Sequence, residues 1–429
     1  MNIIKKIHKD MEANLSLTEG EKPLVVSAIL MALEDETFRA ILEKRAFSSG
    51  DNNTLSKHTY DAVLRVLEKA KLPEHEIKNI LQPYSFITDH PELIKSDKFF
   101  RLVDDIGSNI LPEFKNSETD IIGQFYGEFG DKKGLGIVLT PRHITELFMK
   151  LGQLTRDDIV IDSCCGTGGF LIAAMHEMIS KADHDEKKIK NIKQNQLIGI
   201  EQQQGMYALV VGNMLLRGDG KANLYLGSCF GLEEMICERY KPTFAAINPP
   251  FSRKKKGSDL SEMDFAYSAL SMLVEGGKLV VICPMRCALE RTPLKERLLK
   301  EHTLEAVMSM PTELFYPVGV NTCIMVFTAK KPHPVDFKSW FAIWKDDGFV
   351  KTKTNGRCDL DKTWTETQKR WVKSFINREE TSGISCKQIV SWEDEWCAEA
   401  YVETDYSKLT KENFEKVVKT FAIYKLGAN

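Results

Sequence analysis

The stretch FAAINPPF (244–251) ends an apolar run with a polar amide, two prolines and an aromatic ring. Neither Pro249 nor Pro250 has a backbone N–H to donate, so the chain cannot continue a sheet ladder past this point. The turn therefore has a fixed shape, and it carries the Asn248 amide and the Phe251 ring at the tip of a buried strand. These residue types can hydrogen-bond and stack, which makes the tip a candidate site element; a capped turn with a buried ring is the alternative.

A second candidate element is the glycine-rich turn in IVIDSCCGTGGFLIAAM (159–175). Asp162 ends a predicted strand, and Gly166, Gly168 and Gly169 open a turn into a helix. Glycines let the backbone approach a ligand closely, and the start of a helix offers unpaired N–H groups. The spacing is neither GxGxxG nor the GxxxxGK[ST] of a P-loop, so a phosphate is not the expected ligand.

The next apolar strand ends in an acidic residue, Glu201, within LIGIEQQ (197–203). An acid at the strand tip that follows a glycine turn is where a pair of ribose hydroxyls is held in related folds. A charged insertion, 181–195, lengthens the interval from Asp162. Taken together with the glycine turn, Glu201 is interpreted as a ribose ligand; a solvated strand end is the alternative.

Short β-rich runs alternate with segments of helical length from about residue 135 to residue 330. This alternation predicts an α/β fold with a doubly wound parallel sheet and helices on both faces. Ligands bind outside the carboxyl ends of the strands in such sheets, where Asp162, Glu201 and Asn248 are expected to lie. The predicted strands are 158–162, 196–201, 244–248, 278–284, 304–310 and 322–327.

The flanking regions have different patterns. Apolar residues recur at helical spacing in the first 115 residues, which predicts an α-helical N-terminal domain. The last hundred residues are rich in tryptophan and charge, and they predict a small mixed region that ends in a helix over 410–426. The predicted domains are 1–115, 116–330 and 331–429.

Composition limits the classes of function. The 58 basic and 61 acidic residues give a net charge of −3. This charge argues against a chain that binds nucleic acid over much of its surface without a partner. The ten cysteines form no CxxC pair and the nine histidines form no HExxH cluster, which favours reduced thiols and no metal site. No segment approaches the roughly 20 apolar residues of a membrane span. We therefore expect a cytoplasmic protein with no membrane partner.

DSCCGTGGF, IEQQ and NPPF, in this order, resemble the motif series of amino-group methyltransferases that use S-adenosylmethionine. Upstream, GIVLTPRHITELFMKL (136–151) resembles the segment that closes over the methionine end of the cofactor in these enzymes. The order matches the gamma arrangement of N6-adenine DNA methyltransferases. More narrowly, residues 110–330 resemble the modification (M) subunit of type I restriction-modification systems.

The resemblance implies a Rossmann-like methyltransferase sheet and assigns roles to its motifs. A flipped-out adenine would give its amine hydrogens to the Asn248 side-chain oxygen and the Pro249 carbonyl, while the Phe251 ring stacks on the base. The catalytic residues implied are Asn248, Pro249, Pro250 and Phe251. The cofactor-binding residues implied are Thr140, Pro141, Arg142, Asp162, Gly166, Thr167, Gly168, Gly169, Phe170, Glu201, Ser228 and Cys229.

Two details qualify the resemblance. The family usually places an acid after the third strand to reach the cofactor's adenine, whereas LGSCF places Ser228 and Cys229 there. A serine hydroxyl can make that contact more weakly. After NPPF, a basic run is a candidate for contacts with DNA phosphates, with a solvated loop as the equal alternative. The run consists of Arg253, Lys254, Lys255 and Lys256.

The leading hypothesis is an adenine-specific DNA methyltransferase that acts on double-stranded DNA as a modification subunit. A separate specificity (S) subunit would choose the sequence, with 1–115 and 331–429 as the partner-facing regions. A second modification subunit and a restriction subunit are further partners that this hypothesis allows. The alternatives are a methyltransferase for RNA adenine or protein glutamine, and a non-catalytic scaffold that has kept the fold.

Overall fold

The computed structural model describes residues 3–48, 53–116, 120, 122–123, 125, 139–218, 223–251, 260–316, 319–352, 356–403 and 410–427. Within these residues a nine-stranded sheet forms the centre of the molecule, and helices cover both of its faces. The predicted α/β class with a doubly wound sheet is confirmed. None of the helices in these ranges has the length and apolar composition that crossing a bilayer requires.

Each of the six runs predicted from the sequence overlaps a strand, with ends that differ by at most two residues. They are β1 (Val160–Asp162), β2 (Leu197–Glu201), β3 (Asn223–Leu226), β4 (Phe244–Ile247), β5 (Lys278–Pro284), β6 (Thr303–Ser309), β7 (Thr322–Thr328), β8 (Lys338–Ile343), β9 (Val350–Thr352), β10 (Gly356–Cys358) and β11 (Ser385–Ile389). The order in the large sheet is β11-β8-β6-β7-β5-β4-β1-β2-β3, and β9 pairs with β10 separately.

The sheet departs from the all-parallel prediction at β7, which lies antiparallel between β5 and β6. Strands β3, β2, β1, β4 and β5 are parallel neighbours. A parallel connection needs a crossover of about a dozen residues, usually a helix. The described residues between β6 and β7 contain no helix, so the chain returns antiparallel.

Side chains of the strands contribute to two hydrophobic cores, one on each face of the sheet. Strand β4 is buried along its whole length. It contributes Phe244 and Ala246 to one core and Ala245 and Ile247 to the other. Alternate side chains of a strand point to opposite faces, so a continuous apolar run is what a strand covered on both sides requires.

Helices occupy most of the remaining described chain. They are α1 (Ile3–Leu15), α2 (Glu21–Ala32), α3 (Glu36–Lys44), α4 (Leu55–Lys69), α5 (Glu74–Leu81), α6 (Ser96–Asn109), α7 (Leu111–Asn116), α8 (Arg142–Leu151), α9 (Gly169–Ser180), α10 (Glu186–Asn195), α11 (Gln204–Leu216), α12 (Glu233–Tyr240), α13 (Glu262–Met272), α14 (Arg286–Leu289), α15 (Pro293–Glu301), α16 (Trp364–Asn377) and α17 (Lys411–Gly427). Short 3-10 helices span Gln82–Thr88 and Ala398–Ala400. Local sequence sets several starts: Ser261 and Asp264 form a capping box at α13, and Thr292 caps α15 just before a proline.

The N-terminal helices pack on the sheet layer through α11. The Tyr84 hydroxyl donates to the Ala208 carbonyl at 3.1 Å, and it lies 3.0 Å from the Ser27 hydroxyl. A Cβ on Gly212 would lie 2.7 Å from the Ser27 hydroxyl oxygen, so glycine is what lets α2 approach α11 this closely. The helical region is therefore in direct contact with an element that follows β2.

The C-terminal residues extend the sheet and contact α8. Strand β8 is parallel to β6, and β11 is antiparallel to β8. Asp347 accepts hydrogen bonds from Arg357 at 2.6 Å, and its other oxygen lies 3.1 Å from His143 Nε2 in α8. Phe349 stacks on His143 at 3.9 Å between ring centroids. The boundaries predicted at 115 and 330 stay predictions; strands from beyond residue 330 belong to the same sheet.

Candidate functional site

A cavity of about 750 Å³ lies at the carboxyl ends of β1, β2, β3 and β4. Asp162, Glu201 and Asn248, at the tips of three of these strands, all line it. The glycine turn and the proline turn therefore face one cavity. This is the geometry that the strand-tip rule predicts for a doubly wound sheet.

Most of the residues selected from the sequence line this cavity. They are Thr140, Pro141, Arg142, Asp162, Gly166, Thr167, Gly169, Phe170, Glu201, Ser228, Cys229, Asn248, Pro249, Pro250 and Phe251. The basic run Arg253, Lys254, Lys255 and Lys256 lies outside the described residues. The roles assigned to all of these residues stay predictions.

Gly168 is the one selected residue of the glycine turn that does not line the cavity. Its φ is +90°, a left-handed conformation that favours glycine, and it precedes the first residue of α9. A Cβ at this position would lie 2.9 Å from the Val210 side chain of α11. Gly168 therefore shapes the turn and lets it pack on α11.

Glu201 is tied to the glycine turn by its carboxylate. One oxygen accepts the Gly166 N–H at 3.0 Å, and the other accepts the Gln203 N–H at 2.7 Å. Burial raises the pKa of Glu201, and these backbone hydrogen bonds oppose the shift. The carboxylate thus both fixes the turn and faces the cavity.

Asp162 is 1% exposed at the end of β1 and accepts the Cys164 N–H at 3.1 Å. Burial raises its pKa to about 8, the Cys164 N–H opposes the shift, and the neighbouring Glu201 charge adds to it. Two carboxyls with raised pKa values in one cavity favour a ligand that brings positive charge.

The proline turn is joined to the segment before α8. The Asn248 side-chain nitrogen donates to the Thr140 hydroxyl at 2.9 Å, which fixes the rotation of the amide. Phe251 meets Phe315 edge-to-face, with ring centroids 5.6 Å apart. Phe315 was not selected from the sequence, because nothing in its local pattern distinguishes it from a core residue.

Ser228 and Cys229 line the part of the cavity next to β3. The Ser228 hydroxyl accepts the Phe230 N–H at 3.2 Å. The Cys229 and Cys164 thiols are close enough to interact, so the residues that follow β1 and β3 are neighbours. The hydroxyl and thiol occupy the position where the resemblance led us to expect an acid.

Asp120 lines the cavity and was missed by the sequence reasoning. It accepts hydrogen bonds from the Thr167 hydroxyl at 2.7 Å, the Gly123 N–H at 2.7 Å and the Asn213 side chain at 2.6 Å. Burial raises its pKa, and these three bonds together with the charge of Arg217 oppose the shift. No local signal could have revealed it, because Thr167 and Asn213 are 47 and 93 positions away.

Gln368, in α16, also lines the cavity and was missed. It comes from a region that carries no recognisable motif, and it reaches the cavity because α16 packs on α8. Lys150 and Glu177, which also line the cavity, pair at 2.7 Å, and Lys181 pairs with Glu177 at 2.8 Å. The rim of the cavity therefore includes residues from beyond the motif series.

The site combines an apolar ring and a fixed amide at the β4 tip with buried carboxyls at β1 and β2 and a glycine turn between them. The amide and ring suit a planar group that carries hydrogen-bond donors. The carboxyls suit hydroxyls and a cation. Such an arrangement can hold two ligands side by side, with the amide at the junction.

Comparison with known proteins gives one family and several relatives. Residues 117–421 match the family model described as N-6 DNA Methylase. The chain is 36% identical over 447 residues to the type II restriction enzyme and methyltransferase RM.BcgI of Heyndrickxia coagulans, covering 98% of this chain and 69% of that protein. It is 26% identical over 218 residues to the type I restriction enzyme EcoKI methylase subunit of Escherichia coli (strain K12), covering 46% of this chain and 41% of that one.

Solved structures share the fold at low sequence identity. A type I restriction-modification system methyltransferase subunit from Streptococcus thermophilus gives a TM-score of 0.64 at 15% identity, covering 94% of this chain and 99% of that one. A chain from a structure of a type I R-M system gives a TM-score of 0.66 at 18% identity, covering 100% and 97%. The fold therefore extends over the helical region as well as the sheet.

Proposed function

Since the chain belongs to the N-6 DNA methylase family, we propose that it transfers a methyl group from S-adenosylmethionine to N6 of an adenine flipped out of double-stranded DNA. A separate specificity subunit chooses the sequence to be methylated. The observation that carries this proposal is the cavity that joins Asn248 and Phe251 to the glycine turn and Glu201.

The cavity fits S-adenosylmethionine in size and in the order of its groups. About 750 Å³ is within the usual range of roughly 300–1,000 Å³ for cofactor pockets. Across the sheet, β3, β2, β1 and β4 offer Ser228 for an adenine, Glu201 for a ribose, Asp162 for an ammonium, and Asn248 for the acceptor. This order follows the molecule from its base to its methionine end, and the raised pKa of Asp162 suits a positive charge.

When bound, S-adenosylmethionine supplies an electrophilic methyl group on a positively charged sulfur. The side-chain oxygen of Asn248 and the carbonyl of Pro249 accept the N–H bonds of the adenine amine, which directs the nitrogen lone pair at that methyl. Thr140 fixes the amide through its hydrogen bond, so little ordering is left for the reaction itself. Phe251, supported by Phe315, presents a flat face to the base, a contact of about 1–3 kcal/mol.

The transfer is a positioned displacement that requires no general base. Bound between the glycine turn and the proline turn, S-adenosylmethionine would supply the methyl group, and the amine nitrogen held by Asn248 and Pro249 would release its surplus proton to water. Asn248 and Pro249 hold the nitrogen throughout. The prolines fix the Pro249 carbonyl and Thr140 fixes the Asn248 amide, so both oxygens are in place before the base arrives.

The partner proposal is supported by an exposed apolar stripe on α17. Phe414, Val417, Val418 and Phe421 are each more than half exposed, and they recur at helical spacing along one face. Exposed stripes of this kind mark protein interaction surfaces. We assign this helix, with the N-terminal helices, to assembly with the specificity subunit; a second modification subunit and a restriction subunit are further partners of such an assembly.

The binding of the product S-adenosylhomocysteine is expected to be pH-dependent. Asp162 has a pKa of about 8 in the free site, and an ammonium beside it favours the ionised form, so binding below pH 8 must expel a proton. Affinity should therefore rise with pH, by up to about tenfold per unit between roughly pH 6 and 7.5, and level off above. Calorimetry across this range checks the slope.

Asp162→Asn is the matched control for that slope, because the amide cannot titrate. The variant should bind more weakly at pH 7.5 and show a flatter profile. A flat profile for the wild-type protein, or an unchanged slope in Asp162→Asn, would remove Asp162 from the cation site.

The experiment that tests the proposed function is co-expression of the chain with its specificity subunit, followed by sequencing for N6-methyladenine. We expect one DNA motif to be methylated when both chains are present and none when either is omitted. Parallel assays with RNA and with protein substrates cover the other planar amines. Methylation of those substrates, with DNA unmodified, contradicts the proposal.

A further inference from the structure

Three separate segments of the chain meet at the carboxylate of Asp120. The donors are the Thr167 hydroxyl in the glycine turn, the Asn213 amide in α11 and the Gly123 N–H. All three distances lie between 2.6 and 2.7 Å. An ionised carboxylate only accepts hydrogen bonds, so each of its neighbours is matched by a donor.

Thr167 is held at two points by this cluster. Asp120 accepts from its hydroxyl, and the Asn213 amide, which also donates to Asp120, donates to the Thr167 carbonyl at 2.9 Å. A Cβ on Gly123 would lie 2.1 Å from an Asp120 oxygen and 2.9 Å from the Thr167 hydroxyl. Residues 120 and 123 are therefore packed directly against the glycine turn.

The same cluster connects the turn to the N-terminal helices. Asn213 follows Gly212, the residue that α2 approaches through Ser27. One turn earlier in α11, the Ala208 carbonyl accepts from Tyr84. The amide that holds Thr167 thus lies on the helix that the N-terminal region contacts.

From these contacts we infer that Asp120 is a positioning residue for the methyl donor: it holds Thr167 so that the N–H groups of the glycine turn face the bound cofactor. This inference rests on the proposed function, because it assigns the turn to S-adenosylmethionine. Asp120 acts through Thr167.

Loss of the carboxylate leaves the Thr167 hydroxyl without its acceptor and removes one of the two acceptors of the Asn213 amide. A buried donor that loses a charged acceptor raises the free energy of the folded state, so the turn should shift toward other hydrogen-bond partners. We expect Asp120→Ala to weaken binding of S-adenosylhomocysteine by about 10- to 30-fold. The KM for S-adenosylmethionine should rise by a similar factor, with kcat at saturation nearly unchanged.

The test is a double-mutant cycle of Asp120→Ala and Thr167→Val, read by calorimetry with S-adenosylhomocysteine. If Asp120 acts through Thr167, the double variant should have the same affinity for S-adenosylhomocysteine as the single variant with the lower affinity. Asp120→Asn keeps the volume but removes the charge: its one oxygen can still accept from Gly123 and Asn213, while its nitrogen faces the Thr167 hydroxyl as a donor. It should bind S-adenosylhomocysteine more tightly than Asp120→Ala and more weakly than the wild-type protein.

Glu305→Gln is the control for a general loss of stability. Glu305 is also a partly buried, paired carboxylate, with Lys278 and Arg378 as partners, but it does not line the cavity. It should lower the melting temperature without raising the KM for S-adenosylmethionine, whereas the Asp120 variants should raise that KM.

The outcomes distinguish an error in the role of Asp120 from an error in the proposed cofactor. Additive effects in the cycle or wild-type affinity in Asp120→Ala overturns the role of Asp120 while the proposed function stands. If the wild-type protein itself does not bind S-adenosylhomocysteine, the proposed cofactor is wrong, and so is the role of Asp120 that depends on it.

Discussion

Asn248→Ala is expected to lower the rate of DNA methylation by at least about 10²–10³-fold, the loss typical of removing one fixed transition-state contact. The variant lacks the side-chain oxygen that accepts an amine N–H and the nitrogen that donates to Thr140. Alanine at a strand tip leaves β4 and the two prolines in place. Binding of S-adenosylhomocysteine should therefore remain close to that of the wild-type protein.

Single-turnover methylation and calorimetry on the same preparation separate these two effects. Thr140→Val is the matched variant: it keeps the Asn248 amide but removes the hydroxyl that fixes its rotation. Its rate should fall between those of the wild-type protein and Asn248→Ala. Methylation by Asn248→Ala at a rate near that of the wild type would show that the amide does not hold the base.

Glu201→Ala should act on binding, with little effect on the chemical step. Its carboxylate accepts the N–H groups of Gly166 and Gln203 and is the acceptor proposed for the ribose hydroxyls. In the alanine variant, both these N–H groups and the ribose hydroxyls lose a charged acceptor. Binding of S-adenosylhomocysteine should therefore weaken by about 30- to 100-fold. The rate at saturating S-adenosylmethionine should stay near that of the wild type, the reverse of the pattern for Asn248→Ala.

Glu201→Gln divides the two contributions. A glutamine side chain still offers one acceptor oxygen, so it can retain part of the glycine-turn contact and part of the ribose contact. Its affinity should lie between those of the wild-type protein and the alanine variant. Equal affinities for the wild-type protein and Glu201→Ala would place the ribose elsewhere in the cavity.

The strand tips were predictable because each is specified by a local pattern. Buried parallel strands appear as continuous apolar runs, and Asp162, Glu201 and Asn248 are the first polar residues after such runs. The strand-tip rule then places all three at one edge of the sheet without any knowledge of long-range contacts. The glycine turn was recognisable for the same reason, since three glycines close together, Gly166, Gly168 and Gly169, indicate its backbone conformation.

The remaining site residues depend on contacts that no local pattern records. Asp120 and Gln368 reach the cavity through the packing of segments far apart in the sequence, and Phe315 is apolar like its neighbours in the core. The antiparallel direction of β7 follows from a missing crossover helix, which hydrophobic runs alone do not reveal. Sequence patterns specify elements, whereas pairing across the sheet decides which elements meet.

The pairing of β8 with β6 bears on how such enzymes can be recombined. A chimera joined near residue 330 would replace the β8 strand that pairs with β6 and separate Glu305 from its Arg378 partner. A junction between Ala398–Ala400 and α17 leaves every strand of the sheet with its own neighbours. A graft therefore disturbs the sheet least at the last helix, and it disturbs strand pairing anywhere upstream of β11.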